Sequence, residues 1–261
     1  MAIQAIPLNE RANVDNPTTS LLPYELDGEL FGTDDSNIDG NDLDNKLIGN
    51  DGNNILNGFA GADKLIGSAG NDIYFVDNRR DEVLEFANEG EDLVVFLNRK
   101  YRLPANVERL SFGAVSKSKI GIGNSLDNVL TGNEFKNRLK GGGGDDVLVG
   151  FGGKDKLTGG SGADQFQFQS ITDSGISKRT RDVITDFASG VDTISIDIID
   201  AQPASTADQA FEFIGSEEFT DIGQARFANG ILSLNIDDDI APEFQVELKG
   251  VNQLLVSDII F

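Results

Sequence analysis

The stretch GNSLDNVLT-GNEFKNRLK-GGGGDDVLV-GFGGKDKLT-GGSGADQFQ, residues 123–167, repeats with a period of nine residues. Each unit begins with Gly, has Asn or Asp at its sixth position and has a large apolar residue at its eighth. A glycine-rich backbone turns easily and exposes its carbonyls, whereas a triplet with a central apolar residue suits a short strand. Each unit therefore predicts a turn followed by a strand, and two units complete a coil of eighteen residues.

A second block with the same period lies upstream, where residues 40–75 read GNDLDNKLI, GNDGNNILN, GFAGADKLI and GSAGNDIYF. Together the two blocks divide the chain into five predicted segments. These are an N-terminal arm or cap (1–31), a first repeat block (32–75), a spacer that continues the solenoid (76–122), a second repeat block (123–167) and a C-terminal β region (168–261).

The eighth residue of each unit points inward in this scheme, so these side chains would stack into a thin core. They are Leu47, Leu56, Leu65, Tyr74, Leu130, Leu139, Leu148, Leu157 and Phe166. The prediction is an all-β fold, a right-handed parallel β-roll or β-helix solenoid with a C-terminal β-rich cap.

Composition limits the chemistry. The chain has 44 Asp and Glu against 21 Lys and Arg, a net charge of −23, which opposes binding to nucleic acid or to an anionic membrane. Without His or Cys it lacks the usual zinc ligands, the HExxH motif and any His-dependent serine triad. Oxygen ligands remain, and hard cations prefer them. No stretch approaches the roughly 18 apolar residues of a membrane span, and the N-terminus lacks the pattern of a secretory signal.

The nine units resemble the RTX, or hemolysin-type, nonapeptide G-G-x-G-x-D-x-U-x. The match is strong in the last three units. In the weaker units Leu43, Leu126 and Phe135 replace Gly at the fourth position, and four units have Asn at the sixth. The resemblance implies a β-roll whose turns bind Ca²⁺, the cofactor expected here.

Sixth-position side chains that face each other in this coil are eighteen residues apart. The predicted pairs are Asn45 with Asp63, Asn54 with Asp72, Asn128 with Asp146, Asn137 with Asp155, and Asp146 with Asp164. The last pair ranks first because it has two carboxylates. An alternative interpretation is structural, since Asn and Asp tolerate left-handed turns and bond their own backbone.

By resemblance to the family, carbonyls of the turn glycines complete each calcium shell. For the leading pair these carbonyls belong to Gly141, Gly143, Gly160 and Gly162. The other candidate glycines are Gly61, Gly70, Gly142, Gly144 and Gly153.

Two acidic groups lie outside the repeats. Asp182, Asp186 and Asp192 are either further ligands or a solvated acidic edge. The run Asp237–Asp239 lacks the Gly of a calcium loop, which favours a plain hairpin turn.

The C-terminal region resembles that of serralysin-type proteins, in DVITDFASGVDTISI (182–196) and LKGVNQLLVSDIIF (248–261). Residues 258–261, one acidic and three apolar, resemble the uncleaved C-terminal signal read by type I secretion systems. A buried terminal strand has the same pattern. The resemblance implies a secreted, extracellular protein with the type I apparatus as a partner.

Three functions follow. The first is a secreted, non-enzymatic calcium-binding protein that folds on meeting external Ca²⁺. The second is a module that binds a polysaccharide or cell surface, for which Arg99, Lys100, Tyr101 and Arg102 form a candidate cluster. The third is the accessory tail of a type I-secreted enzyme.

Overall fold

A computed structural model describes residues 17–113, 119–202 and 209–261. In these ranges the chain is all-β, with one short 3-10 turn at Val256–Asp258, and its strands form parallel sheets wound as a solenoid. The predicted fold class is confirmed. The chain divides into two compact units, residues 1–128 and 129–261.

The first unit contains twelve described strands, most of them three residues long. They are β1 (Thr18–Ser20), β2 (Asp27–Glu29), β3 (Asn37–Asp39), β4 (Lys46–Ile48), β5 (Ile55–Asn57), β6 (Lys64–Ile66), β7 (Ile73–Val76), β8 (Glu82–Leu84), β9 (Leu93–Phe96), β10 (Lys100–Arg102), β11 (Arg109–Phe112) and β12 (Ile120–Ile122).

Odd-numbered strands of this unit lie side by side in the order β1-β3-β5-β7-β9-β11. The even-numbered strands form the ladder β2-β4-β6-β8 and the pair β10-β12. Every one of these pairings is parallel, as expected of a chain that alternates between two sheets.

The eighth residues of the repeats stack as the sequence predicts. Leu47 pairs with Leu65 between β4 and β6, and Leu56 pairs with Tyr74 between β5 and β7. All four side chains are fully buried. Burial of a Leu side chain contributes about 1.5–3 kcal/mol, so the two stacks, one in each sheet, help to stabilise every coil.

Both flanks of the first repeat block also contain strands. β1 and β2 lie in the segment expected to be an arm or cap, and they extend the two sheets by one strand each. Residues 1–16 of that segment lie outside the described residues. Strands β8–β12 occupy the expected spacer, apart from residues 114–118, which are not described.

The second unit contains the other twelve strands. They are β13 (Val129–Thr131), β14 (Arg138–Gly143), β15 (Val147–Val149), β16 (Lys156–Ser161), β17 (Gln165–Gln167), β18 (Asp182–Ile184), β19 (Thr193–Ser195), β20 (Glu212–Phe213), β21 (Gln224–Ala228), β22 (Ile231–Asn235), β23 (Phe244–Leu248) and β24 (Ile259–Ile260).

Its two sheets run β13-β15-β17-β19-β24 and β14-β16-β18-β23-β22-β21-β20. The coil is parallel up to β23, after which β22 and β21 pair antiparallel. The run Asp237–Asp239 lies in the loop between the antiparallel strands β22 and β23. The run therefore lies in a hairpin loop, where the Asp237 carboxylate accepts the Asp239 N–H at 3.0 Å. One carboxylate oxygen each of Asp237, Asp239 and Glu243 lies within 4.8 Å of the other two, so the choice between a plain turn and a cation site stays open.

The C-terminal segment is a strand of this coil. In β24, Ile259 pairs with Ile194 of β19. The buried carboxylate of Asp258 accepts the Ser189 hydroxyl at 2.6 Å and the Gly190 N–H at 2.8 Å. The tail therefore has a structural role, whatever else it does.

Candidate metal centre in the solenoid turns

A ladder of hydrogen bonds joins the sixth residues of successive coils. The backbone N–H of each donates to Oδ1 of the Asp eighteen residues later. The distances are 2.8 Å from Asn45 to Asp63, 2.7 Å from Asn54 to Asp72, 2.6 Å from Asn137 to Asp155 and 3.0 Å from Asp146 to Asp164.

Four of the five predicted pairs are therefore brought together. Asn128 and Asp146 belong to different units, and their pairing stays a prediction.

The same ladder continues beyond the repeats. Asp81 accepts the N–H of Asp63 at 3.1 Å, and Asp92 accepts that of Asp72 at 2.8 Å. In the second unit, Asp182 accepts the N–H of Asp155 at 2.6 Å, and Asp192 accepts the N–H of Asp164 at 3.0 Å. Asp186 lies at a turn too, where it accepts the Gly159 N–H at 3.0 Å.

Sequence reasoning missed Asp81 and Asp92. Each begins an Asp-x-apolar triplet, Asp81-Glu82-Val83 and Asp92-Leu93-Val94, whose third residue is buried beside a repeat residue. That triplet is the end of the nonapeptide without its glycines. A search for it alone finds both residues.

The second oxygen of these carboxylates has a different environment. Oδ2 of Asp63, Asp72, Asp155 and Asp182 is buried and accepts no hydrogen bond. A buried carboxylate oxygen without a partner is costly, and a bound cation removes that cost. Hard cations such as Ca²⁺ take oxygen ligands of this kind, so the residues present fit such an ion.

Burial raises the pKa of these carboxyl groups well above the ordinary 3.8 of aspartic acid. The pKa of Asp155 rises to about 9, first through burial and then through the negative charge of Asp182. Burial likewise raises the pKa of Asp72 to about 8 and that of Asp63 to about 6. Without a cation, the raised pKa favours the neutral acid at pH 7 for Asp72 and Asp155, whereas Asp63 only keeps its proton to a higher pH than a free aspartic acid does.

Glycine is needed beside each carboxylate. A Cβ on Gly159, the first residue of its unit, would lie 2.0 Å from Oδ2 of Asp164, and the same holds for Gly141 and Asp146. The fourth residue Gly162 has φ +130°, a conformation that side chains disfavour.

The predicted glycines differ in conformation. The candidates with positive φ are Gly61, Gly70, Gly142, Gly144, Gly153, Gly160 and Gly162. At the third-position Gly143, a Cβ would approach only the Ser161 hydroxyl, at 3.2 Å.

Turns with Asn at the sixth position are closed by the protein itself. The Asn54 side chain accepts the Asn50 N–H at 2.8 Å and donates from Nδ2 to the Ser36 carbonyl at 2.9 Å. Asn45, Asn128 and Asn137 likewise accept an N–H four residues upstream, each at 2.8 Å. In these turns the amide NH₂ group of Asn donates a hydrogen bond. In the Asp turns the corresponding side-chain atom is an unpaired carboxylate oxygen.

Fold and turns together define a calcium-binding solenoid of the RTX type. The family model of the RTX calcium-binding nonapeptide repeat (4 copies) matches residues 39–74, and these repeats bind Ca²⁺. The model of the peptidase M10 serralysin C-terminal family matches residues 127–261, more than half of the chain. The chain therefore belongs to the serralysin C-terminal family.

Among solved structures, the AlgE6R3 subunit of a mannuronan C5-epimerase from Azotobacter vinelandii is 28% identical over 54% of this chain and 81% of that one. The TM-score is 0.27, so this match carries no argument about the fold. No curated protein matches the chain.

The raised pKa values predict how the metal-free protein responds to pH. Between the ordinary pKa of 3.8 and the folded pKa values, which reach about 9, the folded chain binds more protons than the unfolded chain. The free energy of unfolding of the calcium-free protein therefore falls as the pH rises. Dialysed, calcium-free protein should therefore show a stronger β-sheet circular dichroism signal at about pH 5 than at about pH 8. Equal signals at the two pH values would contradict the burial of these carboxyl groups.

Proposed function

We propose that the protein is a secreted, non-enzymatic calcium-binding protein whose solenoid folds when it meets external Ca²⁺. The observation that carries this proposal is the unpaired, buried Oδ2 of the Asp turns, which occurs in both units. The chain has a net charge of −23, so a bound cation would also stabilise the fold by reducing the repulsion between its turns.

The proposal divides the predicted ligands into two groups. Asp63, Asp72, Asp146, Asp155 and Asp164 supply carboxylate oxygens, and the turn glycines supply carbonyls. The Asn residues at the same position are held by hydrogen bonds within the protein, so we assign them a structural role. The two interpretations of the sixth position thus apply to different turns.

Rough magnitudes support folding coupled to calcium. A site with a dissociation constant near 10⁻⁴ M contributes about 1.4 kcal/mol at ~1 mM Ca²⁺. Five such sites would add about 7 kcal/mol, as much as the whole stability of an ordinary domain. Below the dissociation constant this contribution disappears, so the chain would stay unfolded where calcium is scarce.

Export is the second part of the proposal. Membership of the serralysin C-terminal family supports it, and we assign the recognition of the type I apparatus to the segment that includes residues 258–261. In the described residues no helix has the length and apolar character to cross a membrane. The segment is paired in the folded coil, so the exporter would read it before folding.

The absence of His from the sequence supports the non-enzymatic assignment, since it removes zinc-protease and serine-triad chemistry. The alternative is that the chain serves as the accessory tail of a type I-secreted enzyme. The family to which the chain belongs is named after the C-terminal region of a peptidase, and this supports the alternative.

A groove in the first unit supports a second candidate function. It has a volume of about 460 Å³, and its charged lining consists of four basic and two acidic side chains, next to Tyr101. The basic residues are Lys64, Arg79, Lys100 and Arg102, and the acidic ones are Asp81 and Glu82. The Tyr101 ring packs on Phe96 with centroids 4.8 Å apart, which holds it in place. A basic groove in an acidic chain suits an anionic polysaccharide.

Calcium titration tests the leading proposal. Removal of Ca²⁺ at neutral pH should abolish the β-sheet circular dichroism signal, and its return should restore it. Asp155→Asn keeps the acceptor for the Asn137 N–H but loses the charged Oδ2, so this variant should bind about one ion fewer. Asp221→Asn, an exposed aspartate of the same unit whose Oδ1 accepts the Ile222 N–H, is the matched control and should bind the wild-type number. A signal unaffected by chelator would defeat the proposal.

Export is tested with a variant that keeps the fold. Ile260 is 38% exposed, so Ile260→Ser should leave calcium-dependent folding nearly intact while reducing secretion by a host with a type I exporter. The control is Ile198→Ser, another exposed isoleucine of the same unit, which should be secreted normally. Normal secretion of both variants would show that this segment is not the signal.

The groove is tested by charge reversal. Lys100→Glu combined with Arg102→Glu should abolish retention on immobilised dextran sulfate in the presence of calcium, because the attraction is electrostatic. Lys140→Glu combined with Arg179→Glu, both exposed residues of the second unit, is the control with the same change in net charge. If the wild-type protein is not retained, the groove is no polyanion site.

A further inference from the structure

Three buried carboxylates meet in the first unit where the first repeat block gives way to the spacer. Asp72 precedes β7, Glu85 follows β8 and Asp92 precedes β9. One carboxylate oxygen of each lies within 4.8 Å of the corresponding oxygens of the other two. Neither Glu85 nor Asp92 belongs to the nonapeptide match, which covers residues 39–74.

All three side chains are buried, with Asp92 0%, Asp72 1% and Glu85 3% exposed. Both oxygens of Glu85 and Oδ2 of each Asp lack a hydrogen-bond partner. The Oδ1 atoms of the two Asp residues are already used, because Asp72 accepts the N–H of Asn54 and Asp92 accepts that of Asp72. The three neighbouring carboxylates thus have four unpaired oxygens between them.

The surroundings add more negative charge. Burial raises the pKa of Asp92 to about 7, and the negative charges of Glu108 and Glu89 add to this rise. Burial, followed by the charges of Asp92 and Asp72 and by the neighbouring Glu89 carboxyl group, raises the pKa of Glu85 to about 9. Burying one carboxylate beside two others is costly unless a cation is present.

We propose that Asp72, a ligand of the repeat turns, joins Glu85 and Asp92 from outside the nonapeptide match in a three-carboxylate binding site for Ca²⁺. Calcium binds oxygens at 2.3–2.6 Å, so two ligands on opposite sides of the ion lie at most about 5 Å apart, and the observed spacing fits. Four carboxylate oxygens fill half or more of a shell of six to eight, and backbone carbonyls or water can supply the rest.

Glu85 distinguishes this site from a repeat turn. A turn site draws its carboxylates from sixth positions, whereas here a glutamate from the spacer contributes both of its oxygens. Three negative charges around one dication should give tighter binding than a turn with a single carboxylate, because affinity follows the number of charged ligands. The site would therefore fill first as calcium rises and would order the junction between β7, β8 and β9.

The inference rests on the proposed function only for the choice of calcium as the metal. Glu85→Gln keeps the shape of the side chain and removes its charge. Equilibrium dialysis of the full chain with radioactive Ca²⁺ should show that this variant loses one bound ion, taken from the tightest class. Glu82→Gln, an exposed glutamate three residues away in β8, should retain the wild-type number and affinities.

A second variant covers the case in which Glu85→Gln does not fold. Asp92→Asn keeps the acceptor for the Asp72 N–H and removes the unpaired charged oxygen, so it should lose the same ion. If both variants fold and bind as many ions as the wild type, while Asp155→Asn loses one, the new site is refuted and the proposed function stands. If the wild-type chain binds no calcium, both proposals fail.

Discussion

The hydrogen bond from a backbone N–H to one oxygen of a carboxylate in the next coil is the contact on which the rest of the structure depends. It fixes the register of neighbouring coils, and so it decides which apolar side chains stack. It also holds each carboxylate against the turn, as in Asp155, whose Oδ1 accepts the Asn137 N–H at 2.6 Å. The other oxygen is then buried with no protein donor in reach.

This arrangement makes the fold depend on its solution conditions. A globular domain usually buries groups that satisfy one another, whereas the Asp turns bury acceptors that require an ion or a proton. The Asn turns show the alternative, because the Asn54 amide supplies both a donor and an acceptor. Because this chain has both Asn turns and Asp turns, some of its coils are held by its own hydrogen bonds and others depend on the metal.

The sequence predicts the coil well because its signal is local. Gly at the first position, Asn or Asp at the sixth and a stacked residue such as Leu65 at the eighth recur in every unit, and the structure contains them where expected. Beyond the repeats the signal weakens. Asp92 lies twenty residues after Asp72 rather than eighteen, so a fixed period misses it.

The candidate site is harder to predict than the coil. Asn and Asp look equivalent in the turn pattern, and only the hydrogen bonds of the folded chain separate Asn54, whose amide is satisfied, from Asp72, whose Oδ2 is not. Glu85 has no repeat signature at all, since its place beside Asp72 comes from the path of the chain between β8 and β9. The tail pattern is equally ambiguous, because a terminal strand such as β24 needs the same apolar residues as a signal.

The variable spacing of the hydrogen-bond ladder shows how the solenoid accommodates inserted residues. Asp155 bonds to Asp182 across 27 residues and Asp164 to Asp192 across 28. Even so, β16 pairs in parallel with β18, and β17 with β19, as the strands of the eighteen-residue coils do. The extra residues leave the coil as an excursion after β17, at a cost that grows only slowly with length, about 0.6 kcal/mol for each doubling. Foreign peptides grafted within the exposed residues 176–180 would therefore be displayed on an intact solenoid, whereas the buried Ser174, which bonds to the Gln245 carbonyl, would stay in place.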